Sequence, residues 1–351
     1  MKFNINDTLF KIETNDGFHV KKISKNKSLN EVLRFFNLNK KYSIYLIKKQ
    51  SKTSKIYFVK NKKSIFVLKS SLFKETKYLN LQCELLSNLK SKYLVQLLKG
   101  QNGYVFKNKN YSFVVYKKEK GNIFNGKIND LNKIFYSIIQ LHKKLKNKKF
   151  FNFNLKVKKY KIKEIKDHGK LLLNKRFISK LLSKKIIGKK TKILITKNSF
   201  YIKNCINNIV QPKMKKKSLQ VVHEDLNHSN ILVFNNNIRF IDNESFVKDT
   251  LKIAMSHAIF KVLRHVVFIN KNKIHYVNNY YKNLCTNLIK KNIFSSHKEI
   301  FDMCALRILS DISLIINSFY AGQKKYLYDF EKKILNLIEL RYISKLHEFK
   351  S

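Results

Sequence analysis

The sequence has almost none of the residues that break or loosen a fold. Among 351 residues there are only 8 glycines and 1 proline, which excludes collagen-like chains and flexible linkers rich in these residues. With 44% hydrophobic and 13% aromatic residues, the chain can form a folded core, so a disordered tail is excluded as well. Its length predicts two domains or one two-lobed unit.

Cysteine is scarce too. The four cysteines form no C-x-x-C pair, so neither a zinc site nor a disulfide framework is predicted, and a reducing compartment is expected. Charged residues interrupt the first part of the chain, so no secretion signal is predicted there. The apolar stretch 305–319 contains Arg307 and Asp311 and is shorter than the roughly 20 apolar residues that cross a bilayer. We therefore expect a cytoplasmic protein.

Negative charge is the scarcest property of the chain. Its 22 acidic residues stand against 74 Lys and Arg, which gives a formal net charge of +52. Because most of the basic residues are lysines, compositional bias explains much of the excess, but the shortage of acids still predicts a positive potential. That potential is compatible with peripheral contact at the inner face of an anionic membrane. Specific binding of nucleic acid is not predicted.

Short apolar runs in the first third of the chain predict a small antiparallel sheet. The runs are rich in Ile, Val, Phe and Tyr and are separated by polar turns, and one segment between them has leucines at steps of four, as a helix requires. The predicted strands are 42–47, 56–60, 64–69, 103–106 and 111–116, and the predicted helix is 77–89.

From Asp130 onward, apolar residues recur at steps of three and four, which predicts helices buried along one face. These helices are predicted at 131–145, 251–269, 276–289, 300–319 and 326–343. The strongly basic segment 151–217 predicts two helices and a hairpin. An antiparallel sheet followed by helices indicates the α+β class.

The strongest chemical signal is the segment 221–244, which begins V-V-H-E-D-L-N-H-S-N-I-L-V and continues to I-R-F-I-D-N-E. Apolar strands on both sides of a polar loop would hold Asp225, Asn230 and Asp242 at one end of the strands. Two of these side chains could share a magnesium ion, and the third could orient a hydroxyl group. Phosphoryl transfer requires that combination of metal ligands and a carboxylate that accepts a proton.

The spacing of this segment also resembles a known family. From His223 to Asn230 it reads H-x-D-x-x-x-x-N, with Asp242 following, and it is similar to the catalytic loop of the aminoglycoside phosphotransferase and choline kinase superfamily. The resemblance implies a two-lobed, protein-kinase-like α+β fold. The N-lobe, 1–116, would be a small antiparallel sheet with one helix, 117–121 the hinge, and 122–351 a mostly helical C-lobe with a basic insert at 151–217.

The same resemblance implies roles for the loop residues. Asp225 would be the catalytic base or the group that orients the hydroxyl, and His223 would support the loop through hydrogen bonds. Asn230 and Asp242 would hold Mg²⁺. Glu224 stands where the family often has glycine, so the loop backbone is expected to differ there.

The resemblance further implies an ATP site between the lobes. Lys69 would contact the α- and β-phosphates and form an ion pair with Glu84 of the N-lobe helix. The other implied nucleotide contacts are Ser51, Thr53 and Ser54 in the turn that covers the phosphates, and Tyr116 and Glu119 near the adenine. The turn 51–55 contains no glycine, which makes close approach of its backbone to phosphate harder.

These expectations predict an ATP- and Mg²⁺-dependent phosphotransferase that acts on a hydroxyl group of a small molecule. The positive field would repel cationic aminoglycosides and choline and attract a phosphorylated sugar or the glycan of a lipid, unless a local acidic pocket reverses it. The alternative is a catalytically inactive kinase-like fold that serves as a basic RNA- or membrane-binding module. The glycine-free turn favours that alternative, and the intact Asp225, Asn230 and Asp242 oppose it.

Overall fold

The computed structural model describes residues 20–24, 26–38, 42–47, 54–62, 64–72, 76–212, 218–235, 237–242, 245–323 and 326–347. Its N-terminal part is an antiparallel sheet with two helices. The elements are β1 (Val20–Ile23), α1 (Lys27–Phe35), β2 (Ser43–Ile47), β3 (Ser54–Lys60), β4 (Ile65–Leu72), α2 (Thr76–Leu89), β5 (Phe106–Lys107) and β6 (Tyr111–Lys117).

The six strands pair in the order β1-β2-β3-β4-β6-β5, and each face of this sheet is covered by a helix. Alternating side chains of the strands bury Tyr57, Val59 and Leu68 in one cluster with residues of α1. The other face buries Val114 and Tyr116 with residues of α2. This two-sided burial explains why the sheet strands are apolar on both faces.

The remaining elements form a larger, mostly helical part. They are β7 (Asn122–Ile123), α3 (Leu131–Leu145), α4 (Lys148–Phe151), α5 (Ile162–Leu171), α6 (Lys175–Ser183), α7 (Lys189–Lys197), α8 (Ser199–Asn208), β8 (Leu219–His223), β9 (Ile231–Phe234), β10 (Asn237–Phe240), β11 (Phe246–Thr250), α9 (Leu251–Ile269), α10 (Ile274–Lys290), α11 (His297–Tyr320) and α12 (Phe330–Ser344).

One large apolar cluster joins these helices. The N-lobe helix α2 also contributes to it through Leu85, Leu86 and Leu89, so α2 packs against both parts of the molecule. Helix α9 is buried nearly all round, in agreement with its nearly continuous apolar sequence.

The chain crosses from the large sheet to the helical part through residues 118–121. Gly121 has φ of +123°, and a Cβ atom at this position would lie 2.9 Å from the backbone oxygen of Val233. A glycine is therefore required here both by backbone conformation and by close approach. Strand β7, which follows immediately, pairs with β9. This pairing attaches the end of the crossing segment to the helical part.

Most elements predicted from the sequence are confirmed, but some differ, and others, among them β1, β7 and α4, were not predicted. The basic segment 151–217 contains α5 to α8 and its described residues form no hairpin. The strand predicted at 103–106 is reduced to the two residues of β5. Helix α1 was not predicted, although Asn26 caps it by accepting a hydrogen bond from the backbone of Leu29 at 2.9 Å, which is a typical start signal.

Within the described ranges, no single helix has the length and hydropathy of a membrane span. Two consecutive helical segments, Leu251–Ile269 and Lys271–Lys290, reach that threshold only together and are bent by 102° where they meet.

Candidate active site

Strand pairing brings two polar loops to the same end of the small β-structures in the helical part. Strand β8 pairs antiparallel with β11, with His223 opposite Phe246, and β9 and β10 form a hairpin between them. The backbone N–H of Glu224 donates to Ser245 O at 2.9 Å, and that of Ile241 donates to Asn230 O at 2.9 Å. The loop after β8 and the loop after β10 are thus joined at both ends.

The Asp225 carboxylate is oriented by two asparagines of its own loop. Asn227 Nδ2 donates to Asp225 Oδ1 at 2.9 Å, and Asn230 Nδ2 donates to Asp225 Oδ2 at 3.3 Å and to its backbone oxygen at 2.9 Å. Because the amide nitrogen of Asn230 is used in this way, its side-chain oxygen is the atom that could bind a cation. The structure therefore brings Asp225 and Asn230 together, as predicted.

The buried side chain of His223 supports this loop. Its ring is buried and lies edge-on to Phe246 with the ring centres 5.0 Å apart, and its Nδ1 accepts a hydrogen bond from Asp225 N at 3.3 Å. Burial lowers the pKa of His223 even though Asp225 and Asp242 act to raise it. A neutral ring that accepts at Nδ1 has its proton on Nε2.

A second buried histidine holds the end of β8. His142 Nδ1 donates to Ile138 O at 2.9 Å, and His142 Nε2 accepts from the backbone N–H of His223 at 3.3 Å. Burial lowers the pKa of His142 to about 4, so this ring is neutral at physiological pH. Hydrogen bonds thus run from α3 through His142 and His223 to the Asp225 loop.

Asp242 lies on the second loop, where it meets the N-lobe sheet. Its φ of +61° is unusual for a residue with a side chain, and Lys69 Nζ of β4 donates to its Oδ1 at 2.5 Å. Burial alone would raise the pKa of Asp242, but the Lys69 ammonium outweighs it and the pKa is lowered. The structure thus brings together two residues that are 173 positions apart.

The predicted Lys69–Glu84 ion pair is wrong. Glu84 is exposed on α2, while Gln82, two residues earlier and therefore on a different face, is fully buried. Gln82 Nε2 donates to Phe246 O at 2.8 Å, Gln82 Oε1 accepts from Phe246 N at 2.9 Å, and Tyr78 also donates to Phe246 O at 2.6 Å. Uncharged side chains, rather than a carboxylate, connect α2 to the strand that follows Asp242.

The remaining predicted nucleotide contacts have mixed outcomes. Ser51 and Thr53 lie outside the described residues, and Ser54 begins β3 opposite Ser71 of β4. Tyr116 is buried at the end of β6. Glu119 forms an ion pair with Arg239 of β10 at 3.0 Å, so its carboxylate ties the crossing segment to the β9–β10 hairpin.

Glu224, where the family often has glycine, is part of an ion-pair network. Its Oε2 lies 2.6 Å from Lys158 Nζ and 2.8 Å from a guanidinium nitrogen of Arg307. Lys158 is brought there because residues 156–158 pair with Lys248 of β11. Burial acts to raise the pKa of Glu224, but the two cations lower it. The basic segment and α11 are thereby anchored to the Asp225 loop.

A cavity of about 610 Å³ opens beside Asp225. Asp225 and His228 line it from the loop, and α9 and α12 form much of its wall. His228 stacks on His265 of α9, with ring centres 4.0 Å apart and planes inclined by 7°. This size suits a small-molecule ligand.

The donor set fits a magnesium ion. Asn230 and Asp242 would supply amide and carboxylate oxygens, and Mg²⁺ in nucleotide sites binds through one or two carboxylates together with phosphate oxygens and water. Within the part of the chain that the structure describes, no group of three or more His, Cys, Asp or Glu side chains forms a metal cluster.

By sequence, the chain matches no family model and no curated protein. By structure, it is similar to the spectinomycin phosphotransferase in complex with ADP and spectinomycin, with a TM-score of 0.61, 12% identity, and 92% of this chain and 99% of that chain covered. It is also similar to an amicoumacin kinase in complex with AMP-PNP and Ca²⁺, with a TM-score of 0.57, 15% identity, and 90% and 94% covered.

A third solved structure is an aminoglycoside phosphotransferase from Alicyclobacillus acidocaldarius, with a TM-score of 0.51, 11% identity, and 85% of this chain and 92% of that chain covered. These similarities extend over nearly the whole of each protein, both the sheet and the helical part. The predicted fold is therefore confirmed: the chain has the two-lobed, protein-kinase-like α+β fold of the aminoglycoside phosphotransferases.

Proposed function

We propose that this protein is a kinase that transfers the γ-phosphate of ATP to a hydroxyl group of a small molecule, with Mg²⁺ as cofactor. The observation that carries the proposal is the junction of the two loops. There Asp225, held by two asparagines, faces the cavity, while the adjoining loop presents Asp242 against Lys69. A carboxylate, two oxygen ligands and a cation from the other lobe are the parts that phosphoryl transfer needs.

In this mechanism Asp225 accepts the proton of the attacking hydroxyl. The amides of Asn227 and Asn230 donate to its two oxygens, which holds the carboxylate in one orientation and leaves further lone pairs for the hydroxyl proton. Lys69 would contact nucleotide phosphates. Mg²⁺ held by Asn230 and Asp242 would neutralise charge on the phosphate oxygens.

The acceptor in this proposal is a sugar-like compound or the glycan of a lipid. Spectinomycin, a ligand of a structural neighbour, is a small molecule, and the cavity beside Asp225 has room for a ligand of that class. Residues 1–116, 117–121 and 122–351 would be the N-lobe, hinge and C-lobe, with backbone groups between Tyr116 and Gly121 receiving the adenine.

The test is Asp225→Asn, assayed with labelled ATP, Mg²⁺ and extracts of cell metabolites and lipids. Loss of a positioned general base lowers the rate by about 10² to 10⁴-fold, while binding of Mg·ATP should remain. Asp167→Asn is the matched control, because Asp167 is exposed and its ion-pair partner within the described residues is the exposed Lys170. Labelling that is unchanged in Asp225→Asn would contradict the proposed mechanism, and salt-sensitive RNA binding without labelling would favour the inactive binding module.

A further inference from the structure

The cavity beside Asp225 is lined by basic residues from three helices. Helix α9 contributes Lys261 and Arg264, α11 contributes Arg307, and α12 contributes Lys332 and Lys333. Lys261 and Arg264 are three positions apart and thus lie on one face of α9. Among its described lining residues, the cavity has no member of the six-stranded sheet, so its wall belongs to the helical part of the protein.

Three of these cations are neutralised by carboxylates. Arg264 forms a bidentate ion pair with the buried Glu339, and Lys333 pairs with Asp311 at 2.5 Å. Arg307 lies between Glu224 and Asp311.

Lys261 is different. In the described part of the chain its ammonium has no hydrogen-bonded carboxylate and only lies over the Phe260 ring, 5.8 Å from the ring centre. Burial, followed by the charges of Lys333, Arg264 and Lys332, lowers its pKa to about 7, and the attraction of Asp225 is weaker than each of these contributions. A half-buried amine without a counterion, surrounded by like charges, is costly unless a ligand supplies the negative charge.

Within the described residues, no acidic group of the cavity wall forms an ion pair with Lys261. Glu224 is engaged by Lys158 and Arg307, and Glu331 accepts hydrogen bonds from Gly188 N and the Thr191 hydroxyl. The other acids lining the cavity are Asp225 and Asp329, and the attraction of Asp225 for Lys261 is weaker than the repulsion by the neighbouring cations. His228, His257 and His265 have lowered pKa values, chiefly because of burial, so these rings are neutral at physiological pH.

We propose that Lys261, with Lys332 beside it, binds a phosphate or carboxylate group of the acceptor. The acceptor is then a hydroxyl compound that already carries negative charge, and not a cationic aminoglycoside. This inference rests on the proposed function for the transfer itself, but the anion site can be measured without it. An anionic group held at Lys261 would place a hydroxyl of the same molecule at Asp225, which lines the same cavity.

The direct experiment is calorimetric titration of inorganic phosphate into the protein saturated with Mg·ADP, which keeps phosphate out of the nucleotide site. We expect binding that is at least tenfold weaker in Lys261→Met, retained in Lys261→Arg, and unchanged in Lys273→Met, an exposed lysine just beyond α9. Equal binding by the wild type and Lys261→Met would overturn the proposal. Thermal unfolding checks that each variant folds, and Lys332→Gln, a change at an exposed position, supplies a second variant with the same expected direction.

A second experiment identifies the source of the anionic group. Metabolite extract is separated on anion- and cation-exchange columns before incubation with labelled ATP. The proposal expects the acceptor among compounds retained on the anion exchanger, and removal of phosphate monoesters by a phosphatase distinguishes a phosphorylated acceptor from a carboxylated one. Labelled product from the cation-exchange or neutral fraction alone would overturn the anion site but leave the kinase proposal standing. Absence of product from every fraction would contradict the kinase proposal, while phosphate binding still reports on Lys261.

Discussion

The ammonium group of Lys69 lies 2.5 Å from the carboxylate of Asp242, so two residues proposed to bind different parts of Mg·ATP neutralise each other. Lys69 belongs to the N-lobe sheet and Asp242 to the loop after β10. Their pairing means that the proposed phosphate ligand and the proposed metal ligand are already within contact distance. Nucleotide binding would exchange this one ion pair for contacts of each residue with phosphate and metal.

A double-mutant cycle on this pair should give a coupling of about 1 kcal/mol. The side chains are 16% and 38% exposed, so water screens the attraction and the value stays near that of partly exposed ion pairs. Lys69→Met and Asp242→Asn should each destabilise the protein, and the double variant should lose less than the sum. Urea unfolding of the four proteins measures the coupling, and strictly additive losses would contradict it.

The packing of α2 predicts that substitutions of two nearby polar residues change the stability of the protein by different amounts. Gln82→Leu removes the acceptor for Phe246 N–H and should cost about 1 to 3 kcal/mol of unfolding free energy, because a buried donor is left unpaired. Glu84→Gln should stay within about 0.5 kcal/mol, since Glu84 is exposed. Phosphotransferase activity should follow the same order. A large loss of activity in Glu84→Gln would indicate that it reaches Lys69 after all.

Glu224→Gly should destabilise the protein, although glycine is common at this position in the family that the loop resembles. The change leaves Lys158 and Arg307 without their shared carboxylate, and breaking such a pair costs about 3 kcal/mol. Because the folded-state pKa of Glu224 is lowered, its contribution is present above the unfolded pKa and is lost as the pH falls through the lower folded value. Unfolding at pH 7 and pH 3 should therefore differ more in the wild type than in Glu224→Gln.

Lys261 predicts a pH dependence of the same sense in a more alkaline window. Its pKa of about 7 lies below the ordinary value of 10.5, so the unfolded chain binds more protons between these values and stability rises with pH across that window. In Lys261→Met this rise should be missing, and at pH 7 the variant should be at least as stable as the wild type. Phosphate binding should weaken above pH 7 in the wild type, since only the protonated amine attracts the anion. Denaturant titrations at pH 7 and pH 9.5 check the stability, and an identical slope in both proteins would contradict the prediction.

The Asp225 loop could be predicted from sequence because its signal is local. His223, Asp225 and Asn230 lie within eight consecutive residues between apolar strands, and the hydrogen bonds that orient them are made inside the same loop. Lys69 was singled out because its strand resembles the one that carries the phosphate-binding lysine in the family. Its actual partner, however, is 173 residues away, and no local pattern chooses between Asp242 and the several other acids.

Contacts between distant segments were the part that could not be predicted. The family resemblance implies Glu84 as the partner of Lys69, whereas the face that α2 turns inward is decided by packing on two sides. The cavity wall on α9 was missed for a similar reason. A usable signal existed, since Lys261 and Arg264 interrupt a helix whose other residues are mostly apolar and buried, and such residues need a partner or a ligand.

The packing of α2 on both of its sides also affects how the six-stranded sheet can move relative to the helical part. Gln82 and Tyr78 bond α2 to Phe246, and Leu85, Leu86 and Leu89 belong to the core of the helical part. Any opening of the cleft that keeps these contacts would leave α2 stationary, so the six-stranded sheet would move over Leu79 and Cys83 and the buried hydrogen bond between Thr76 and Ser112 would break. When the cleft opens to admit a nucleotide, the sheet would therefore move relative to α2. Helix α2 belongs to the N-lobe by sequence but would stay with the helical part of the protein.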